Sequence, residues 1–217
     1  MSKPLVIVQA PVATRSGYGS HSRDLCKSLI NSDKYDVKIL GLNWGSTPLN
    51  ALDKNNPGDK LILDRLMKQP QLDRQPDVNI QITVPNEFQK IAKYNIGITA
   101  GIETTQCSPE WLQGLNRMDL IIVPSEHSKK VFENSVYTQK DQAGNVTQEL
   151  RCTTPIEVLY EGVDTDIFRK TKHIPSTIKD ELNKITDSFN FLYVGHWLEG
   201  PLGQDRKDTG MLVKVFL

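Results

Sequence analysis

The sequence predicts an α/β protein built on an open parallel sheet, and three observations predict it. Apolar runs of the kind buried on both faces of a parallel sheet recur along the chain, at Leu5-Val6-Ile7-Val8, Asp119 to Val123 and Ile156 to Tyr160. Stretches with helical apolar spacing stand between such runs, as at Leu25, Cys26, Leu29 and Ile30. Helix-start punctuation such as Ser108-Pro109-Glu110 marks where one gives way to the other. Strands alternating with helices at this pace form βαβ units.

In order, Leu5 to Val8 is the first strand, bounded by Pro4 and Pro11, and a loop from Ala13 to Gly19 follows it. The helix carrying Leu25 to Ile30 ends at Asn31-Ser32-Asp33, before a strand at Asp36 to Leu42. A helix around Lys60 to Lys68 and strands at Val78 to Val84 and Tyr94 to Thr99 come next. Ser108 is read as the cap of a helix whose apolar face is Trp111, Leu112 and Leu115. Asp119 to Val123 is a further strand. Ser125 then caps a helix with Glu126 near its positive end and Val131, Phe132 and Val136 on its inner face. Polar alternation from Thr138 to Cys152 around Ala143-Gly144-Asn145 reads as an inserted surface hairpin, before the strand Ile156 to Tyr160.

A charged helical stretch from Ser176 to Asp187 separates this domain, residues 1–187, from a new start at 188–217. That start consists of a strand at Phe189 to Val194, a loop to Lys207 and a helix opening near Asp208. Met211, Leu212, Val215 and Phe216 form an apolar stripe that calls for a partner sheet. So short a unit cannot bury a core alone, so the chain is expected to be a fragment, or its last unit to dock on the first domain.

Composition narrows the function. Lys and Arg together number 26 and Asp and Glu 26, so no overall basic field draws the chain to nucleic acid or anionic lipid. Cys26, Cys107 and Cys152 are scattered, with no CxxC pair and no His cluster that would hold zinc, and read as reduced packing thiols. No metal or cofactor is expected. No apolar run approaches the roughly 18 residues needed to span a bilayer, and the start lacks a signal-peptide core, so a cytoplasmic location is expected. The Asn145 sequon then carries no glycan.

Ligands of open parallel sheets bind beyond the carboxyl ends of the strands, where helix N-termini present unpaired N–H groups. The candidate loops are therefore Ala13 to Gly19, Gly101 to Cys107, Pro124 to His127, Glu161 to Asp164 and Gly195 to Lys207. Gly17 and Gly19, in Ser16-Gly17-Tyr18-Gly19-Ser20, could let a diphosphate approach the backbone, or could serve a tight turn needing positive φ. A dinucleotide site is disfavoured, since Ser22 replaces the third glycine of G-x-G-x-x-G and Leu42-Asn43 lacks a ribose-binding acid. Glu103 could accept hydrogen bonds from sugar hydroxyls, act as a base, or brace its loop. His21 and His127 read as surface or capping histidines, and Trp111 and Trp197 as packing residues. Arg206-Lys207 before the last helix suit a diphosphate.

Five stretches together resemble the retaining GT-B glycosyltransferases of family 4, the glycosyltransferase group 1 type. They are Ser16-Gly17-Tyr18-Gly19; Ile102-Glu103 with Pro109-Glu110-Trp111; Asp119 to Ser128 with its Val-Pro-Ser-Glu; Glu161-Gly162-Val163-Asp164-Thr165-Asp166-Ile167-Phe168; and Phe191 to Gly195 with Arg206-Lys207. The resemblance implies two Rossmann-like domains, the first binding the acceptor and the second, begun here, binding the nucleotide sugar. It implies that Gly17, Tyr18 and Gly19 face the donor diphosphate, with Ser125, Glu161, Gly162 and Val163 in the substrate and diphosphate site. Lys207 matches the phosphate-contacting lysine, beside Arg206, and Glu103 lies near the transferring sugar. The family's Gly-Arg after the first strand of its second domain is Gly195-His196 here, and its acidic pair lies further on than Leu217. The expected reaction is transfer from a nucleoside-diphosphate sugar to an acceptor hydroxyl, with retention and without a metal, and the 217-residue chain alone is expected to be inactive. Two rivals stand beside it: a non-catalytic sugar or protein binding module of the same fold, and an NAD-type oxidoreductase domain.

Overall fold

The computed structural model describes residues 3–69, 71–195 and 207–217. They divide into two compact units, Met1–Val163 and Asp164–Leu217.

In the first unit, β1 (Leu5–Ala10) leads into α1 (Gly17–Asn31), then β2 (Asp36–Gly41) and α2 (Pro57–Leu63). After β3 (Val78–Ile82) a 3-10 turn at Pro85–Glu87 precedes β4 (Tyr94–Ile98), α3 (Pro109–Leu115), β5 (Leu120–Val123) and α4 (Glu126–Asn134). A hairpin of β6 (Val136–Lys140) and β7 (Val146–Arg151) then leads to β8 (Ile156–Val158). The main sheet has six strands in the order β2-β1-β3-β4-β5-β8, every pair parallel, and β6-β7 form a separate antiparallel sheet. The order reverses direction between β1 and β3, which is the topological switch point of a doubly wound sheet.

Period-two alternation sorts the strand residues onto two faces. Ile122 joins a cluster with Val6, Val8, Ile80, Ile82 and Ile98, covered by Cys26 and Ile30 of α1 and Ile62 of α2. Its neighbours Ile121 and Val123 join the opposite cluster, with Phe88, Leu112, Leu115, Val131 and Phe132. Each buried Leu, Ile or Phe there contributes about 1.5–3 kcal/mol by leaving water. The amino edge is pinned by two acids that each precede a strand. Asp77 accepts the Leu5 amide at 2.9 Å, Lys93 Nζ at 2.8 Å and Arg74 at 3.1 Å, and Asp119 accepts the Asn95 amide at 2.8 Å and Lys90 Nζ at 3.0 Å.

No α-helix joins β3 to β4. Buried amides clamp that connection instead: Gln81 Oε1 accepts from Gln89 N at 2.8 Å, and Asn95 Oδ1 accepts the Ile91 and Ala92 amides at 3.0 Å each. Phe88 is thereby driven to zero exposure, and a methyl on Gly97 would collide with its ring at 2.6 Å.

Several element bounds differ from expectation, each for a local reason. The helix after β1 opens at Gly17, because Ser16 Oγ accepts the Gly19 amide at 3.0 Å, so both glycines lie in its first turn rather than in a loop. Neither has positive φ, which removes the tight-turn reading. The second helix spans Pro57–Leu63 rather than Lys60 to Lys68, since Asn56 Oδ1 caps it at the Gly58 and Asp59 amides. Residues beyond it turn back, the Met67 amide donating to Ile39 O at 2.8 Å. Ser108 sits at a cap position without capping through its side chain. Val136 belongs to β6 rather than to the preceding helix, which Ser135 closes.

In the second unit, α5 (Ser176–Leu182) and α6 (Thr209–Phe216) form. The strand expected at Phe189 to Val194 does not: among the described residues of this unit no second strand offers a ladder, and an unpaired strand has nothing to fix it. Its aromatics pack on each other instead, with Phe191 edge-on to Phe189 at 4.9 Å and to Phe216 at 5.0 Å between ring centroids. Tyr193 and Thr209 hydroxyls meet at 2.8 Å. His196, Trp197 and Arg206 lie outside the described residues.

Candidate functional site

The link from β1 to α1 is held from within. Thr14 Oγ1 donates to Pro11 O at 2.8 Å, and the half-buried Arg23 guanidinium donates to Val12 O at 2.9 Å and Thr14 O at 2.8 Å. Gly19 packs so closely under this loop that a methyl there would meet the Thr14 carbonyl and lie 2.6 Å from Thr14 Oγ1. The Gly17 and Tyr18 amides are the first two of the helix and so lie outside its intrahelical ladder, at the positive end of its dipole. A methyl on Gly17 would touch nothing within 4 Å.

Gly17 and Tyr18 border a cavity of about 210 Å³ at the carboxyl edge of the sheet. Ile82 ends β3, Ile98 ends β4 with Thr99 just beyond it, and Ile122 and Val123 end β5 with Pro124 just beyond; Leu159 and Glu161 follow β8, and Gly17, Tyr18 and His21 come from α1. The site thus begins at the switch point and runs outward along four strand ends, the place the fold reserves for ligands.

Tyr18 is its most constrained side chain. Its hydroxyl lies 3.0 Å from Thr99 Oγ1 and accepts the Ala100 amide at 3.0 Å, and its ring stacks on Trp44 with centroids 4.1 Å apart. Burial raises the phenol above its ordinary pKa, against these two hydrogen bonds, and the charges of Glu161 and Glu103 add to the rise. His21 Nδ1 stands 3.6 Å from Glu161 Oε1, with the imidazole 18% and the carboxylate 55% exposed. The loops after β4 and β5 are tied together: Ser125 Oγ accepts the Ser128 amide at 3.1 Å, and Ser128 Oγ donates to Ala100 O at 3.1 Å. Gly101 has φ +81°, and a methyl there would strike Ser128 Cβ at 2.6 Å.

Of the residues singled out from sequence, Gly17, Tyr18 and Glu161 line this one cavity. Gly19 and Ser125 are not among the lining residues: the Gly19 amide is engaged by Ser16, and the Ser125 oxygen is used as a helix cap. Glu103 is exposed in the loop after β4, and Gly162 and Val163 follow Glu161 at the end of the first unit. Lys207 precedes α6 in the second unit. His127 is exposed, whereas His21, read from sequence as a surface or capping residue, faces the cavity. Thr99 was passed over, although a polar residue closing an apolar strand at the carboxyl edge is a signal for it.

Among the described residues no group of three or more His, Cys, Asp or Glu side chains gathers at a spacing that would hold a metal, and no helix is long and apolar enough to cross a membrane. The parallel sheet, its flanking helices and a cavity at its carboxyl edge define an α/β protein of the Rossmann-like type. No protein-family model, curated protein or solved structure matches the chain.

Proposed function

We propose that this chain is the acceptor-side part, with the start of the donor-side part, of a GT-B glycosyltransferase of the family 4 type. The observation that carries the reading is that Gly17 and Tyr18, the first two residues of α1, line one cavity at the carboxyl edge with Glu161. Helix N-termini favour phosphate through exposed N–H groups and the dipole, without a metal. In the reaction, the bond from the sugar's anomeric carbon to the diphosphate breaks, the diphosphate leaves with the electron pair, and the acceptor oxygen bonds to that carbon as its proton passes to an oxygen of the departing diphosphate. The α1 amides stabilise the charge growing on the diphosphate. Glu103, which the family resemblance places near the transferring sugar, is the carboxylate assigned to that sugar's hydroxyls.

The test is titration of the isotope-labelled chain with UDP, GDP, ADP and NADH, followed by amide chemical shifts. A nucleoside diphosphate is expected to shift the Gly17, Tyr18 and Ala100 amides and to bind more weakly as salt rises. Silence at those amides with all three diphosphates, or a response to NADH alone, sinks the proposal.

A further inference from the structure

We infer that the cavity beside Tyr18 and His21 takes a ligand with a single hydroxyl on a compact apolar body, a phenol or an alicyclic alcohol, and not a free sugar. Its place as the acceptor rests on the transfer reading above; its binding does not.

The cavity is divided into a hydrocarbon floor and a single polar side. Ile98 and the partly buried Ile122 lie on one face of the sheet, over Ile82, and the floor these three form is made of methyl and methylene groups. The strand-end carbonyls behind it are already engaged: Ile98 O accepts from the Thr83 amide at 3.2 Å, Ile122 O from the Thr99 amide at 3.2 Å and Val123 O from the Leu159 amide at 2.9 Å. A hexose carries hydroxyls around its whole rim, and each one turned to this floor would surrender water for no partner. An apolar ring loses nothing there.

On the polar side, the Tyr18 and Thr99 hydroxyls are engaged with each other and with Ala100. His21 and Glu161 are the lining side chains still able to meet a ligand hydroxyl, and their 3.6 Å separation is too long for a strong mutual hydrogen bond. One hydroxyl lodged between them would accept from one and donate to the other. Size agrees: an apolar cavity of about 150 Å³ holds benzene, so one of about 210 Å³ holds a ring with a short substituent and its hydroxyl.

The test uses the whole chain with its isoleucine δ1 methyls labelled, titrated separately with p-cresol, 4-methylcyclohexanol and myo-inositol. Either of the first two is expected to shift the Ile82, Ile98 and Ile122 methyls saturably, the pair separating a phenolic from an alicyclic ligand, and myo-inositol to leave them still. Ile122→Phe, which fills the cavity, is expected to weaken p-cresol binding about tenfold or more. His21→Ala is expected to weaken it about fivefold, the loss of one hydrogen bond. Saturable myo-inositol binding at these methyls, or no response to either apolar alcohol, overturns the inference. The samples are also labelled at their amides, and UDP, GDP and ADP shifts at Gly17 and Tyr18 are read in them. Their presence without p-cresol binding removes this inference alone, and p-cresol binding without them removes the transfer reading alone.

Discussion

The Tyr18 hydroxyl, on the first turn of α1, sits 3.0 Å from Thr99 Oγ1 at the end of β4, joining residues 81 positions apart in the chain. That contact spans the switch point, since α1 follows β1 while β4 lies two strands away in the sheet. It sets the height of the α1 amides above the strand ends, and therefore the mouth of the cavity.

Tyr18→Phe keeps the ring on Trp44 but removes the oxygen that the Ala100 amide and Thr99 use. The expected loss is about 1–3 kcal/mol of unfolding free energy by urea titration, with nucleoside-diphosphate shifts at Gly17 reduced. An unchanged midpoint would show that the contact does not constrain the helix.

The same phenol predicts a response at high pH. Burial raises its folded pKa above the value near 10 of an unfolded tyrosine, so the folded state holds its proton longer. This contribution is fully present below about pH 10 and is lost as pH rises through the folded value. Urea midpoints taken upward from about pH 9 should therefore fall more steeply in the native protein than in Tyr18→Phe.

The two glycines of α1 should answer a methyl group oppositely. Gly19→Ala would press a methyl onto Thr14 and is expected to cost about 1–3 kcal/mol or more. Gly17→Ala meets open space and is expected to be neutral or to stabilise by up to about 0.5–1 kcal/mol through helix propensity. Equal effects in thermal melts would contradict the packing described here.

Acid should act first on the opposite edge of the sheet. Lys93, then the Leu5 amide and Arg74, hold the Asp77 carboxyl at about 2. A carboxylate depressed in the folded state contributes stability that is present above its unfolded pKa near 4 and lost as pH falls toward 2. Asp77→Asn keeps the oxygen for the Leu5 amide but loses the charge, so its urea midpoint should vary less with pH across that window than that of the native protein.

Thiol chemistry gives a fifth check. Burial pushes the Cys26 thiol up to about 12 and raises those of Cys107 and Cys152. Iodoacetamide near neutral pH is expected to reach the half-buried Cys152 first and Cys26 only after denaturant is added. Rapid native labelling of Cys26 would mean that α1 opens locally.

The sequence alone determined the strands and most helices of the first unit, because a strand buried on both faces must be apolar throughout and a helix must repeat its apolar positions each turn. It also marked Gly17, Tyr18 and Glu161, since loops at strand ends follow from element order. It misjudged Phe189 to Val194, where an apolar run met no partner strand among the described residues, and overlooked the clamp made by Gln81, Asn95 and Phe88 in place of a helix. Only the tertiary structure decided that Gly19 is required by contact with Thr14, that Tyr18 is bolted to Thr99, and that His21 turns toward Glu161 over a floor of isoleucines. Periodicity reports which side of an element is buried. Which distant residues then meet across the sheet depends on strand order and register, and no local pattern encodes those.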